Sequence, residues 1–180
     1  ALPIYPPSTN FTVIGVNGRD VRTFLLHQDT PGSDLVASGL KLIDCTVDRC
    51  SDRLFDLRGG ANGSAAKTLT GLVVRNFDAA GLTIGIRLDQ IGTVVLDDVD
   101  LTFSNPSAAD SYAIFIDDVT LFEYHDGRIK GGYRGISVKD VEHYLNNVGL
   151  INQVATTARR DQGGANGTWR MCWSRGFTPA

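Results

Sequence analysis

Leu72-Val-Val-Arg-Asn76-Phe77, Val94-Val-Leu-Asp-Asp98-Val99 and Phe122-Glu-Tyr-His-Asp126-Gly127 share one cadence: apolar or aromatic residues, a polar pair, then a short residue. Each is followed by a second short strand pattern, Ile84-Gly-Ile-Arg-Leu88, Ala113-Ile-Phe-Ile-Asp117 and Gly135-Ile-Ser-Val-Lys139. Between Leu69 and Asp140 the unit therefore recurs at an uneven period of roughly 21 to 31 residues, within the range of solenoid repeats.

Working outward, Leu40 to Val47 with Leu54 to Arg58 forms an earlier coil, and Phe11 to Gly15 with Arg22 to Leu26 an opening one. Asn17-Gly18 is read as a turn between those two strands. Tyr144 to Val148 with Thr156 to Arg159 forms a weaker last coil, whose second strand is polar. The Gly-rich stretches Gly59-Gly60-Ala-Asn-Gly63 and Gly163-Gly164-Ala-Asn-Gly167 lack the Gly-Lys-Ser/Thr ending of a phosphate loop and are read as turns.

Aligned on the first strand, one column holds Cys45, Asn76, Asp98, Asp126 and Asn147. Asn and Asp tolerate the left-handed conformation of a tight bend, and stacked about 4.8 Å apart they form a ladder. The second strands supply two inward columns, Phe55, Ile86, Ile114, Ile136 and Leu57, Leu88, Ile116, Val138, of the type that packs on a pleated surface. A third column, Arg58, Asp89, Asp117, Lys139 and Arg159, has partly complementary charge.

These columns define the expectation: an all-β, right-handed parallel β-helix of about five to six coils over residues 11–161. Residues 1–10, with three prolines, are expected to be an extended N-terminal arm, and residues 162–180 a linker and aromatic capping or docking tail. Leu2, Ile4 and Tyr5 in the arm, and Trp169, Arg170, Trp173 and Phe177 in the tail, are candidate assembly contacts, because aromatics and arginine are enriched at interface hot spots.

The bend column, the stacked Ile/Val/Leu columns and the loops at Gly59 to Lys67 and Ser104 to Ser111 resemble the right-handed parallel β-helix of the pectate-lyase-like superfamily. That resemblance implies polysaccharide lyases, hydrolases and epimerases on one side, and phage tailspikes and other virion appendages on the other. Arg128-Ile-Lys130 is similar to an Arg-Ile-Lys motif of polygalacturonases, but the Gly-His-Gly of that pattern is missing and His125 sits in Tyr-His-Asp.

The bulk numbers narrow these classes. The 180 residues carry a net charge of −3, so no basic footprint for nucleic acid is present. No apolar run is long enough to span a bilayer. Cys45, Cys50 and Cys172 are odd in number and match no zinc spacing, so no metal is expected and free thiols are. The start, Ala1-Leu-Pro-Ile-Tyr5, lacks Met and is read as processed or cut. Asn10-Phe-Thr12, Asn62-Gly-Ser64 and Asn166-Gly-Thr168 match the glycosylation acceptor, although two of them contain the turn dipeptide Asn-Gly.

Five to six coils at about 4.8 Å make a wall under about 30 Å tall, short for an enzyme that grips several sugars. The leading expectation is therefore a structural bacteriophage protein (head-decoration, fibre or spike), a homotrimer docking on other virion proteins, located in the virion after assembly in the host cytoplasm. The alternative is a secreted carbohydrate-active enzyme, with Asp98, Asp117, Asp126 and His125 as its candidate catalytic residues and calcium if it is a lyase. A third reading is a module that binds cell-surface glycan through Tyr112, Phe115 and Tyr133.

Overall fold

The computed structural model describes residues 2–3, 10–28, 39–59, 69–104, 112–132 and 134–139, and, as backbone strands only, 143–147, 150–152, 157–162, 166–169 and 174–175. Every element among the described residues is a strand. The first four are β1 (Leu2–Pro3), β2 (Thr12–Ile14), β3 (Asn17–Val21) and β4 (Leu25–Gln28). The body is β5 (Leu40–Arg58), β6 (Leu69–Phe103), β7 (Tyr112–His125), β8 (Arg128–Lys130) and β9 (Arg134–Lys139). The last are β10 (His143–Asn147), β11 (Leu150–Asn152), β12 (Thr157–Gln162), β13 (Asn166–Trp169) and β14 (Ser174–Arg175).

All strand pairings are parallel, and each turn lies on the next: Leu40 pairs with Leu72, Val94 with Phe122, Tyr112 with Arg134. β6, at 35 residues, is longer than one circuit and stacks on itself, the Ser104 amide donating to the Leu82 carbonyl at 3.0 Å. The result is a right-handed parallel β-solenoid of about three turns, circling through residues 40–71, 72–93 and 94–121. The expected five to six coils counted every recurrence of the pattern. Outside those circuits the strands are short, from 2 to 6 residues, and do not close continuous circuits among the described residues.

Each circuit has three faces separated by bends. Face a carries 40–43, 72–75, 94–97 and 122–125; face b carries 45–48, 77–80, 99–102 and 128–130; face c carries 53–58, 84–89, 112–117 and 134–139. The bends are made by residues with positive φ. Between faces a and b these are Gly15, Asp44, Asn76, Asp98 and Asp126; between b and c, Asp20, Arg49 and Gly81; after c, Gln90 and Asp118. Asn and Asp adopt this conformation at lower cost than other side chains because they bond locally to the backbone. The a–b bend therefore places Asp44, not Cys45, in the ladder: the Asn76 amide donates to Asp44 Oδ1 at 2.7 Å. Cys45 lies one residue on, pairs with Phe77 and points into the core. Asn147 pairs with His125 and stands one position before the bend. Asn17-Gly18 is not the turn: both residues lie in β3 and pair with Thr46 and Val47 of β5, and Gly18 leaves room for the Phe24 ring.

The inward residues run in register along the axis. Phe55, Ile86, Ile114 and Ile136 form one column and Leu57, Leu88, Ile116 and Val138 the next, all buried. Burying each such side chain contributes about 1.5–3 kcal/mol relative to leaving it exposed. In the charged column, Arg58, Asp89, Asp117 and Lys139 are in register, but Lys139 is followed by Gln162, because Arg159 pairs with Ile136.

The described residues do not confirm distinct arms. Leu2–Pro3 pairs with Leu25–Leu26, Asn166–Trp169 pairs with β10, and Ser174–Arg175 pairs with β11, so these segments continue the stack. Ile4, Tyr5, Arg170, Trp173 and Phe177 lie outside the described residues, as does Cys172. Cys45 and Cys50 are buried free thiols, and burial pushes the Cys50 thiol up, which suppresses its thiolate and its reactivity.

Among the described residues Tyr124 is the largest fully buried side chain, and it stacks in register with Leu96. Its hydroxyl donates to the Val99 carbonyl at 2.6 Å, and Gly127 leaves the space its ring occupies. Burial, with Asp100 and Asp98 nearby, holds this hydroxyl well above its ordinary pKa, so it stays a donor. Tyr124→Phe keeps the ring and strands a buried carbonyl, so it is expected to cost about 1–3 kcal/mol, read as a lower urea midpoint at unchanged slope. An unchanged midpoint would show that the carbonyl finds another donor.

Candidate functional site

The candidate catalytic residues fall on separate parts of the wall. Asp98 and Asp126 occupy the same bend on neighbouring turns, with φ of 52° and 51°. His125 is on face a, in register with Asp97, its Nε2 3.5 Å from Glu123 Oε2. Asp117 is on face c, where it accepts from Lys139 Nζ at 2.9 Å. Asp98 and Asp126 are thus together, His125 is beside them in the chain, and Asp117 is apart. Arg128 and Lys130 of the Arg-Ile-Lys motif are on face b, in register with Asp100 and Thr102. Among the described residues no group of three or more His, Cys, Asp or Glu side chains is gathered to hold a metal ion.

Asp100, in register with Arg128 on face b, has a displaced pKa. Burial raises it, Arg128 opposes that, and Asp78 adds to it; one carboxylate oxygen is buried without a partner. A raised folded-state pKa means that the ionised form opposes folding at neutral pH, and that the opposition fades as pH falls through the folded value towards the unfolded one. Asp100→Asn is expected to raise stability at pH 7 by about 1 kcal/mol, since the group is half-buried and Arg128 offsets part of the cost of its charge. The gain should shrink on acidification towards pH ~4. Thermal melts of both proteins across that range check it; a gain that grows in acid would reverse the assignment.

Face c gathers a different set of residues. In register across successive turns it brings together Arg53 and Ile84, then Tyr112 and Arg134. The parallel outward column is Asp56, Arg87, Phe115 and Ser137. Tyr112 and Phe115 are in contact, with ring centroids 5.3 Å apart. Arg134 lies over the Tyr112 ring at 4.9 Å and donates to its hydroxyl at 2.7 Å; Arg87 is 5.8 Å from the centre of the Phe115 ring. Cation–π contact and the hydrogen bond hold the rings and guanidiniums in place before any ligand arrives. A cleft of about 210 Å³ opens here, lined by Arg53, Ile84, Ile86, Arg87, Tyr112 and Phe115. A second hollow of about 440 Å³, with Arg22, Arg53, Asp56 and Arg58 among its lining residues, adjoins it and shares Arg53.

Around this cleft Asp56 is nearly fully buried and accepts from Arg58 Nε and Nη2, both at 3.0 Å, and from Arg53 Nη1 at 3.3 Å. Arg87 Nη2 donates to Asp89 at 3.0 Å, while Arg87 Nε is buried and has no partner. Tyr112 and Phe115 are legible in the sequence as outward aromatics; Tyr133 lies outside the described residues. The arginines were missed. Their signal is the register, which sets Arg53, Arg87 and Arg134 on one face although they come from different turns.

The fold defines a right-handed parallel β-solenoid of the pectate-lyase-like fold class. Comparison of the chain with protein-family models, curated proteins and solved structures finds no match.

Proposed function

We propose that this chain is a structural, non-catalytic bacteriophage protein, a head-decoration, fibre or spike subunit that works as a homotrimer in the virion. The supporting observation is how its outer polar residues are used. Asp20 with Arg49, Asp44 with Asn76, Arg75 with Asp97, and Asp117 with Lys139 are joined from one turn to the next. Such ladders stiffen a wall and leave those carboxylates engaged. Absolute mass by light scattering, with and without residues 168–180, tests the proposal. A trimer that dissociates on truncation supports assembly through the tail; a folded monomer in both forms overturns it.

Recognition of a cell-surface glycan is the second reading, favoured by the Tyr112–Phe115 pair beside a cleft on face c. The enzyme alternative places turnover on Asp98 or Asp117. It predicts that Asp98→Asn or Asp117→Asn abolishes polysaccharide turnover in a folded protein; turnover kept in both removes those assignments.

A further inference from the structure

We infer that face a is a contact surface for a second copy of this chain, and that the two copies meet about a twofold axis with their solenoid axes opposed. The contact is separate from the proposed trimer, whose symmetry is threefold.

The outer residues of face a stand in two central columns. One holds Thr12, Lys41, Val73, Val95 and Glu123; the other holds Ile14, Ile43, Arg75, Asp97 and His125. The 3.6 Å contact between Arg75 and Asp97 sets the step from the second course to the third. All of these residues are exposed or half-buried, while Leu42, Val74, Leu96 and Tyr124 between the columns are buried. Four of the ten, Ile14, Ile43, Val73 and Val95, are β-branched apolar side chains turned to the outside, and Ile14 is 64% exposed. Clustered apolar side chains on an outer wall mark an interaction surface.

The charges say what covers it. Cations come first along the axis, Lys41 and Arg75 on strands 40–43 and 72–75. Carboxylates follow, Asp97 and Glu123 on strands 94–97 and 122–125. Rotation by 180° about a line along the strands, midway between 72–75 and 94–97, reverses that order. It sets Lys41 of one copy over Glu123 of the other, Arg75 over Asp97, and Val73 over Val95. Every Lys, Arg, Asp and Glu of the two columns then meets its opposite, and the apolar pair lies at the centre. A surface that complements itself under one rotation is the requirement for an isologous dimer. Copies stacked with their axes parallel would lay like charge on like at each level, which disfavours that arrangement.

The size of the face sets the strength. With β2 at one end and β10 at the other, face a has six courses, and the same rotation exchanges those two strands. At about 4.8 Å per course and about 3.3 Å per residue, six courses of five residues cover roughly 500 Å² on each partner. That is near the lower limit for a specific interface, so a reversible dimer in the micromolar range is expected.

Sedimentation equilibrium of the full chain at low salt tests this. Lys41→Glu and Glu123→Lys are each expected to weaken self-association at least about tenfold, since each turns two opposite-charge pairs into two like-charge pairs. Mixing these two variants should restore association, and so should combining both changes in one chain. Within one chain the two positions are three courses apart, about 14 Å, so restoration reports a contact between copies. Lys130→Glu, at an exposed position on face b, should change nothing. Should either reversal fail to fold by circular dichroism, carbodiimide coupling of the unaltered protein decides, with an amide between Lys41 and Glu123 of different chains expected on peptide mapping. Monomer at every concentration, association that both reversals leave intact, or reversals that neither mixing nor combination rescues would each overturn the inference. Masses in multiples of two report this contact and masses in multiples of three report the trimer, so either can fail alone.

Discussion

Gly85→Ala is expected to cost at least about 3 kcal/mol and to leave little soluble protein. Gly85 sits in β6 directly against Ala113 of the next turn, and a Cβ there would overlap the Ala113 carbonyl and crowd that of Tyr112. Those carbonyls belong to a ladder flanked by buried columns, so neither can move without breaking inter-turn hydrogen bonds. Overpacking that a rigid surround cannot relieve lies at the severe end of single substitutions. The control is Gly71→Ala, where the nearest atom to the added methyl is 3.7 Å away. That change should fall within about 1 kcal/mol of the parent, since replacing Gly where the backbone allows it trims unfolded-state freedom. Urea midpoints of the two variants give the answer; equal midpoints would refute the close contact at Gly85.

Phe77→Ala should cost about 3–5 kcal/mol. Phe77 is the centre of an aromatic group drawn from three stretches of the chain. Its ring is 5.6 Å from Phe24 and 5.3 Å from Phe55, both edge-on, whereas Phe24 and Phe55 are 6.4 Å apart. Truncation removes the transfer energy of a buried ring and both edge-to-face contacts, and leaves a void that two turns of backbone cannot fill. Because a solenoid is held by nearest-neighbour contacts, the loss should uncouple the strands of residues 12–28, which carry Phe24, from the turns they lie on. Hydrogen exchange would then show protection falling first in residues 12–28 and later in 112–139. Uniform loss of protection would mean that the wall melts as one unit.

The legible part of this fold rests on local chemistry. The alternation at 55 and 57, 86 and 88, 114 and 116, and 136 and 138 marks side chains that share one face of a strand, since neighbours along a strand point to opposite sides. Asn76, Asp98 and Asp126 announce bends because a left-handed residue is a property of its own side chain and backbone. Where reading failed, the error was one of register. Cys45 and Asn147 were each set one residue from their place, because two adjacent polar positions look alike until the partner strand chooses between them. The number of turns was overcounted for a similar reason: a repeated pattern marks strands that can pair, not circuits that close.

By itself, then, the sequence determined the all-β class, the parallel stacking of a repeated unit, the inward columns and most of the bend positions, because each depends on side chains within a few residues of one another. The tertiary structure alone decided what face c presents. Successive turns differ in length, 32 residues separating Asp44 from Asn76 but 22 separating Asp117 from Lys139. Which arginine therefore stands above which ring follows from how much chain each turn spends in its loops before it rejoins the wall. Strand hydrogen bonding and the fit of the core columns settle that register, and with it they bring Arg53, Arg87, Tyr112 and Phe115 into one cleft.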